Sequence, residues 1–345
     1  MFNKSTVAYC LSLAALGLIG CGGGGGSEAP VTVTPPPVAA TPMTATPMTP
    51  TPAVTEPVSE RFVDRVFENV DITRNIVFGS GARLEGSQTL EMDIYTPSGD
   101  SETDRPVLIL AFGGGFTSGF RQDPLISAIA IDFAQRGFVT ASIDYRLFEQ
   151  EPTTEDEANI AIIQAMHDMK AAVRFLREDA LGPNIYGTRE DATYVGGVSA
   201  GAIMASFSGA LDIDDNLTDP VLSFLNANNG VEGNSSSNIQ ISSDVQGVFS
   251  LSGAVTDTQW IDENSAPIYA AHEEFDTIVP CRFSMSSSGL FLAGGCDMVP
   301  AALNSGVAAE LFLDEGSDSH IGYSLSEFGE IFDGAASFIA GQLPE

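Results

Sequence analysis

The chain has 345 residues and carries 46 acidic against 14 basic side chains, a net charge of −32. So large a carboxylate excess argues against nucleic acid as a partner, because phosphate binding runs on Lys and Arg, and Lys4 and Lys170 are the only lysines. It also keeps the surface solvated and repels anionic polymers unless salt screens the field.

The N-terminus carries Lys4, an apolar run from Val7 to Ile19, and then Gly20 and Cys21. That is the layout of a signal peptide, and the run is too short for a convincing membrane span. Leu18-Ile19-Gly20-Cys21 resembles the bacterial lipobox, which implies that Cys21 becomes the lipidated first residue of an exported chain. A residue other than Asp at position 22 implies the outer membrane. The alternative is an ordinary signal peptide with an incidental cysteine. From Gly22 to Pro57 a glycine run passes into Thr-Pro repeats, the composition of a tether that buries almost nothing. The expected organisation is therefore a signal peptide over 1–20, lipidated Cys21 and a linker over 21–57, and one globular domain over 58–345.

Hydrophobic runs alternate through that domain. Ile72–Phe78 and Leu90–Tyr95 form an expected starting hairpin, and Val107–Phe112 has the all-apolar character of a strand buried on both faces. A helix over Leu125–Gln135, a strand over Phe138–Ile143 and a long amphipathic helix over Ile160–Glu178 follow. Next come a strand at Ala192–Gly196, a helix from Ala200, strands at Gln246–Ser252, Ile268–Ala271 and Ala309–Leu313, and a helix over Leu325–Ala340. Such alternation calls for an α/β fold with a mostly parallel sheet and helices on both faces. The stretch 212–243, rich in Asn, Asp and Ser, breaks the rhythm and is expected to pass over the carboxyl edge of the sheet, where pockets form. Its Asp212, Asp214, Asp215 and Asp219 lack the glycine and bidentate glutamate of a calcium loop, which favours a solvated acidic loop and no metal.

Gly197-Val198-Ser199-Ala200-Gly201 fits the G-x-S-x-G elbow between a strand and a helix, where glycines are needed because the turn is too tight for side chains. Phe112-Gly113-Gly114-Gly115-Phe116 follows the buried strand, and amides left unpaired in a glycine turn can receive an oxyanion; the Ala200 amide offers another at a helix start. The loop lacks the Lys-Ser/Thr sequel of a phosphate cradle. A serine nucleophile needs a base, and the chain has three histidines, His167, His272 and His320. His320 alone leaves a full strand between itself and the elbow for an acid, matching the order Ser, acid, His. His167 is better accounted for as a packed or surface imidazole, and His272 as a pocket wall. Asp276, just past the strand at 268–271, is the expected acid, with Glu273, Glu274, Asp314 and Asp318 as rivals. In an exported chain Cys281 and Cys296 are expected to form a disulfide, closing a loop worth about 3 kcal/mol and bracing the segment behind Asp276; two separate buried thiols are the alternative.

Together these residues resemble the esterase and lipase branch of the α/β-hydrolase superfamily, spanning hormone-sensitive-lipase-like, type-B carboxylesterase and feruloyl or acetyl-xylan esterase-like families. The resemblance is carried by Leu90–Pro97, Gly113–Gly119, Asp144-Tyr145-Arg146, Ala171–Arg177, Gly196–Gly201, Asp276–Pro280 and Ser319-His320. It implies an acyl-enzyme mechanism with Ser199 as nucleophile, His320 as base and then acid, Asp276 as its orienter, and Gly114, Gly115 and Ala200 as the oxyanion hole, with no cofactor. Phe112 departs from the histidine of hormone-sensitive-lipase-like enzymes, and Val198 from the usual Asp or Glu before the serine. The expected activity is hydrolysis of a carboxylic ester, small or borne on a polymer. A serine peptidase on the same fold and a non-catalytic binding protein are the competing classes; the second typically lacks a member of the triad.

Overall fold

The computed structural model describes residues 60–150 and 152–344. The expected signal peptide, Cys21 and the expected linker lie outside the described residues. β1 (Val70–Ala82) and β2 (Ser87–Pro97) pair antiparallel, with Gly86 at positive φ in the connecting turn. β3 (Arg105–Ala111) is buried at every position, as the apolar run from Val107 requires of a central strand.

α1 (Pro124–Gln135) begins where the Asp123 carboxylate accepts from the Leu125 and Ile126 amides, with Pro124 at the first turn. It leads to β4 (Val139–Ile143). α2 (Glu155–Leu181) starts five residues before Ile160, because Thr154 caps it and Glu155, Asp156 and Glu157 favour its positive end. β5 (Thr188–Val198) runs into the elbow, and α3 (Ala200–Ala210) leaves it. α4 (Asp219–Ala227), β6 (Val248–Leu251), the two-residue β7 (Ala254–Val255) and β8 (Ile268–Glu273) follow. β9 (Ser284–Met285), β10 (Phe291–Gly294), α5 (Gly295–Asn304), β11 (Ala309–Asp314) and α6 (Leu325–Ala340) complete the domain. The last helix opens on a reciprocal capping box between Ser324 and Glu327.

The main sheet has the order β1-β2-β4-β3-β5-β6-β8-β11. Pairings from β4 to β11 are parallel and β2 alone meets β4 antiparallel, so the starting hairpin forms one edge. Because β3 and β5 are adjacent and parallel, the glycine turn after β3 and the serine after β5 emerge side by side at the carboxyl end of the sheet. A separate small sheet, β7-β10-β9, was not foreseen from sequence; its strands are two to four residues long, too short to show periodicity.

The 212–243 stretch meets the carboxyl end of the sheet only near its start, where the Thr218 hydroxyl donates to Asp156 in the first turn of α2 at 2.6 Å. It lines no part of the cavity at Ser199 and packs along α2 instead. The cause is a row of buried cations on that helix and in the segment between β4 and the helix. Arg174 reaches the Glu232 carboxylate at 3.1 Å, and Lys170 donates to Ser243 Oγ at 3.2 Å. Arg146 pairs with Asp168 at 2.7 Å and donates to Ser235 Oγ at 2.9 Å. Leaving such groups without partners in the interior is costly, so the polar segment is drawn down onto them. Within it Asp215 accepts from the Asp212 amide at 2.7 Å, and burial pushes its carboxyl up to about 6.

Candidate active site

Ser199 sits at φ 53, ψ −118 between β5 and α3. That backbone is unfavourable for a residue with a side chain and is held here by close packing on both flanks. A Cβ at Gly197 would lie 2.5 Å from the Gly201 carbonyl carbon, and one at Gly201 would lie 2.1 Å from the Ala111 carbonyl oxygen. The elbow glycines are therefore steric requirements of this turn. The Ser199 amide donates to the Leu251 carbonyl at 2.9 Å, which ties the turn to β6.

The structure brings together three of the residues singled out from sequence. Ser199 Oγ lies 2.9 Å from His320 Nε2, and His320 Nδ1 lies 2.6 Å from Asp276 Oδ2. The other Asp276 oxygen accepts from the Ile278 and Val279 amides at 2.8 and 3.2 Å, fixing the carboxylate so that Oδ2 faces the ring. The Asp276 side chain is fully buried, whereas that of His320 is 19% exposed.

His272 stands close by in a different role. Its Nε2–H donates to the Val279 carbonyl at 2.8 Å, and its Nδ1 accepts from the Gly295 amide at 3.2 Å, which holds a neutral ring. Burial lowers its pKa. The ring braces the Asp276 loop from behind, together with the disulfide between Cys281 and Cys296. His167 is a packed imidazole stacked on Phe224 with its pKa pushed down to about 3 by burial. Of the rival acids, Glu273 accepts from the Gly322 amide and Glu274 from the Gly316 amide, so both carboxylates serve the loop that carries His320.

Gly114 and Gly115 have φ values of 115° and 61°, conformations that only glycine adopts freely. Gly115 and Ala200 border the cavity with Ser199, while Gly114 lies one step back, its carbonyl accepting from the Thr117 and Ser118 amides. The turn is held from below. Phe112 stacks on Tyr145 with ring centroids 4.4 Å apart, and the Tyr145 hydroxyl donates to the Phe112 carbonyl at 2.9 Å. An aromatic residue at 112 thus has a packing partner in the chain itself.

The cavity at Ser199 measures about 220 Å3. Its wall is mostly apolar, from Phe116, Phe148, Ile162, Ile203 and Leu292, with Ser287 and Ser288 as polar exceptions. Of these wall residues only Phe116 was named from sequence, as the end of the glycine motif. Ile162 and Ile203 were indistinguishable there from core positions of amphipathic helices, and Leu292 lies on the unforeseen β10. No group of His, Cys, Asp and Glu among the described residues has the arrangement of a metal site.

Residues 92–251 match the BD-FAE family model. No curated protein sequence matches the chain. Among solved structures, a propionate-bound thermophilic esterase of the planctomycete Thermogutta terrifontis superposes with a TM-score of 0.56 at 17% identity, over 79% of this chain and 94% of that one. The same organism's esterase 2 phosphorylated by paraoxon gives 0.55 at 18% identity, over 81% and 97% of the two chains. A bifunctional GH43-CE protein of Bacteroides eggerthii gives 0.59 at 17% identity over 79% of this chain, but only 38% of that longer one. Likeness at such identity establishes the fold. The family match runs from β2 through the glycine turn and the elbow to the end of β6, so over those residues the chain is similar to the BD-FAE family, and it shares the α/β-hydrolase fold of the solved esterases.

Proposed function

We propose that this protein hydrolyses carboxylic esters through an acyl-enzyme formed on Ser199. The observation that carries the reading is the continuous row Asp276 Oδ2, His320 Nδ1, His320 Nε2, Ser199 Oγ, with separations of 2.6 and 2.9 Å, ending at the wall of an apolar cavity. As Ser199 Oγ attacks the ester carbonyl, its proton passes to His320 Nε2, and the fixed Asp276 carboxylate stabilises the imidazolium. The tetrahedral oxyanion is received by the amides of Gly115 and Ala200, with Gly114 shaping the turn that presents the first of them. His320 then protonates the leaving alkoxide. In the second half it takes a proton from water as that water attacks the acyl-enzyme, and returns it to Ser199 Oγ as the acid is released.

A cavity of about 220 Å3 suits a short acyl group, in keeping with the propionate held by the Thermogutta terrifontis esterase. Small esters and acyl groups displayed on a polymer both carry an acyl group of that size. We place the enzyme outside the cytoplasm on a lipidated Cys21, a reading that rests on the lipobox-like Leu18–Cys21 and is checked by labelling with palmitate and by globomycin-sensitive processing.

The deciding experiment is covalent labelling of the protein with a fluorophosphonate, followed by mass spectrometry. An adduct on Ser199, lost in Ser199→Ala together with ester turnover, is the expected result. Ester turnover retained by folded Ser199→Ala would overturn the assignment.

A further inference from the structure

Glu273 ends β8 and is fully buried. Three donors converge on its carboxylate: the Gly322 amide on Oε1 at 2.8 Å, and the Ser252 and Tyr323 hydroxyls on Oε2 at 2.8 and 2.9 Å. Burying a carboxylate is expensive unless donors replace its water, and these donors come from the end of β6 and from the segment just past His320. Two neighbours are held in backbone conformations that side chains avoid. Ser252 has φ 51° and Ile321, which separates His320 from Gly322, has φ 58°. A β-branched residue persists in the left-handed region only where its surroundings over-determine it.

The His320 segment needs such a restraint. Between β11 and α6 it has no regular structure, and among the described residues its imidazole is tied directly only to Asp276 and Ser199. Backbone bonds from Glu274 to Asp314 and from Phe275 to Ser317 anchor the near side of the loop. On the far side the Glu273 carboxylate grips two consecutive residues, Gly322 and Tyr323.

We infer that Glu273 is a positioning residue for the base: by holding Gly322 and Tyr323 it fixes the turn at Ile321 and with it the distance from His320 Nε2 to Ser199 Oγ. This rests on the hydrolase reading above. It assigns Glu273 a task distinct from that of Asp276, which meets the imidazole itself. Because the Gly322–Tyr323 turn contributes nothing to the cavity wall, a loosened base lowers kcat and leaves KM in place.

The full-length protein is first treated with the fluorophosphonate. Folded wild type that takes no adduct overturns the hydrolase reading and this inference with it; wild type that labels isolates Glu273 as the question. Glu273→Ala is then expected to lower both kcat and the labelling rate by about 100-fold with KM changed less than about threefold, the size of effect that a misplaced base produces. Glu273→Gln keeps an oxygen for the Gly322 amide and is expected to recover kcat to within about fivefold of wild type. Folded Glu273→Ala with kcat within about threefold of wild type, or Glu273→Gln as slow as Glu273→Ala, overturns the inference. Should Glu273→Ala fail to fold, Tyr323→Phe removes one donor while retaining the ring, and an expected loss of about tenfold in kcat replaces it; unchanged kcat there is the overturning result.

Discussion

The Tyr145 hydroxyl donates to the Phe112 carbonyl at 2.9 Å while the two rings stack, so a single side chain grips both the backbone and the ring of the residue that opens the glycine turn. Tyr145 is buried and its pKa is raised by that burial, so the hydroxyl remains a donor across the working range. Tyr145→Phe keeps the stack and removes the bond. Loss of a buried bond of this kind costs about 1–2 kcal/mol. Denaturant melts should show that loss, and turnover should fall as the Gly115 amide drifts from the oxyanion, with little change in KM.

Asp276→Asn preserves the shape of the loop, since its oxygen can still accept from Ile278 and Val279. Its amide then faces His320 Nδ1 and can only donate, which forces the proton onto Nε2, where Ser199 needs an acceptor. By analogy with other serine hydrolases kcat should fall by about four orders of magnitude. Steady-state kinetics on a soluble ester, with the fold checked by circular dichroism, measures it; activity near wild type would remove Asp276 from its assigned role.

Leu292 is 2% exposed and lines the cavity at Ser199. Leu292→Ala opens volume on the side of the acyl group at a stability cost of about 2–5 kcal/mol. In a series of p-nitrophenyl esters, the optimum should move to longer chains. An unmoved optimum would mean that the acyl group lies elsewhere.

Acid should weaken the fold through His167. Its imidazole is held neutral, with a pKa of about 3, while the unfolded side chain takes a proton near its ordinary value of 6.5. Between those limits the unfolded state binds more protons, so stability falls as pH falls, by about 1.4 kcal/mol per pH unit for this one group. Buried His272, also shifted down, acts with the same sign. Urea melts between pH 7.5 and 5 should show the slope, and His167→Asn should make it shallower.

What could be read along the chain were features decided within a few residues. The elbow at 197–201 and the glycines at 113–115 were legible because a sharp turn permits few side chains, a constraint that adjacent atoms impose. The α6 boundaries matched the expected Leu325–Ala340, since a capping box is local chemistry. The alternation of buried strands and amphipathic helices likewise announced a mostly parallel sheet.

Other features had no local signature. Chain order favoured His320 over His272 as the base, but only the fold shows one ring closed between Val279 and Gly295 and the other turned to Ser199. Glu273 looked like a rival for the acid until its three donors were in view. The packing of the 212–243 stretch along α2 was not foreseen because the cations that capture it, Arg146, Lys170 and Arg174, lie more than fifty residues away along the chain. By itself the sequence determined which residues could do chemistry, because steric and hydrogen-bonding demands within a turn are written in neighbouring side chains. The tertiary structure decided which of them meet, because burial and pairing between residues far apart in sequence depend on how β5, β6, β8 and β11 align in one sheet.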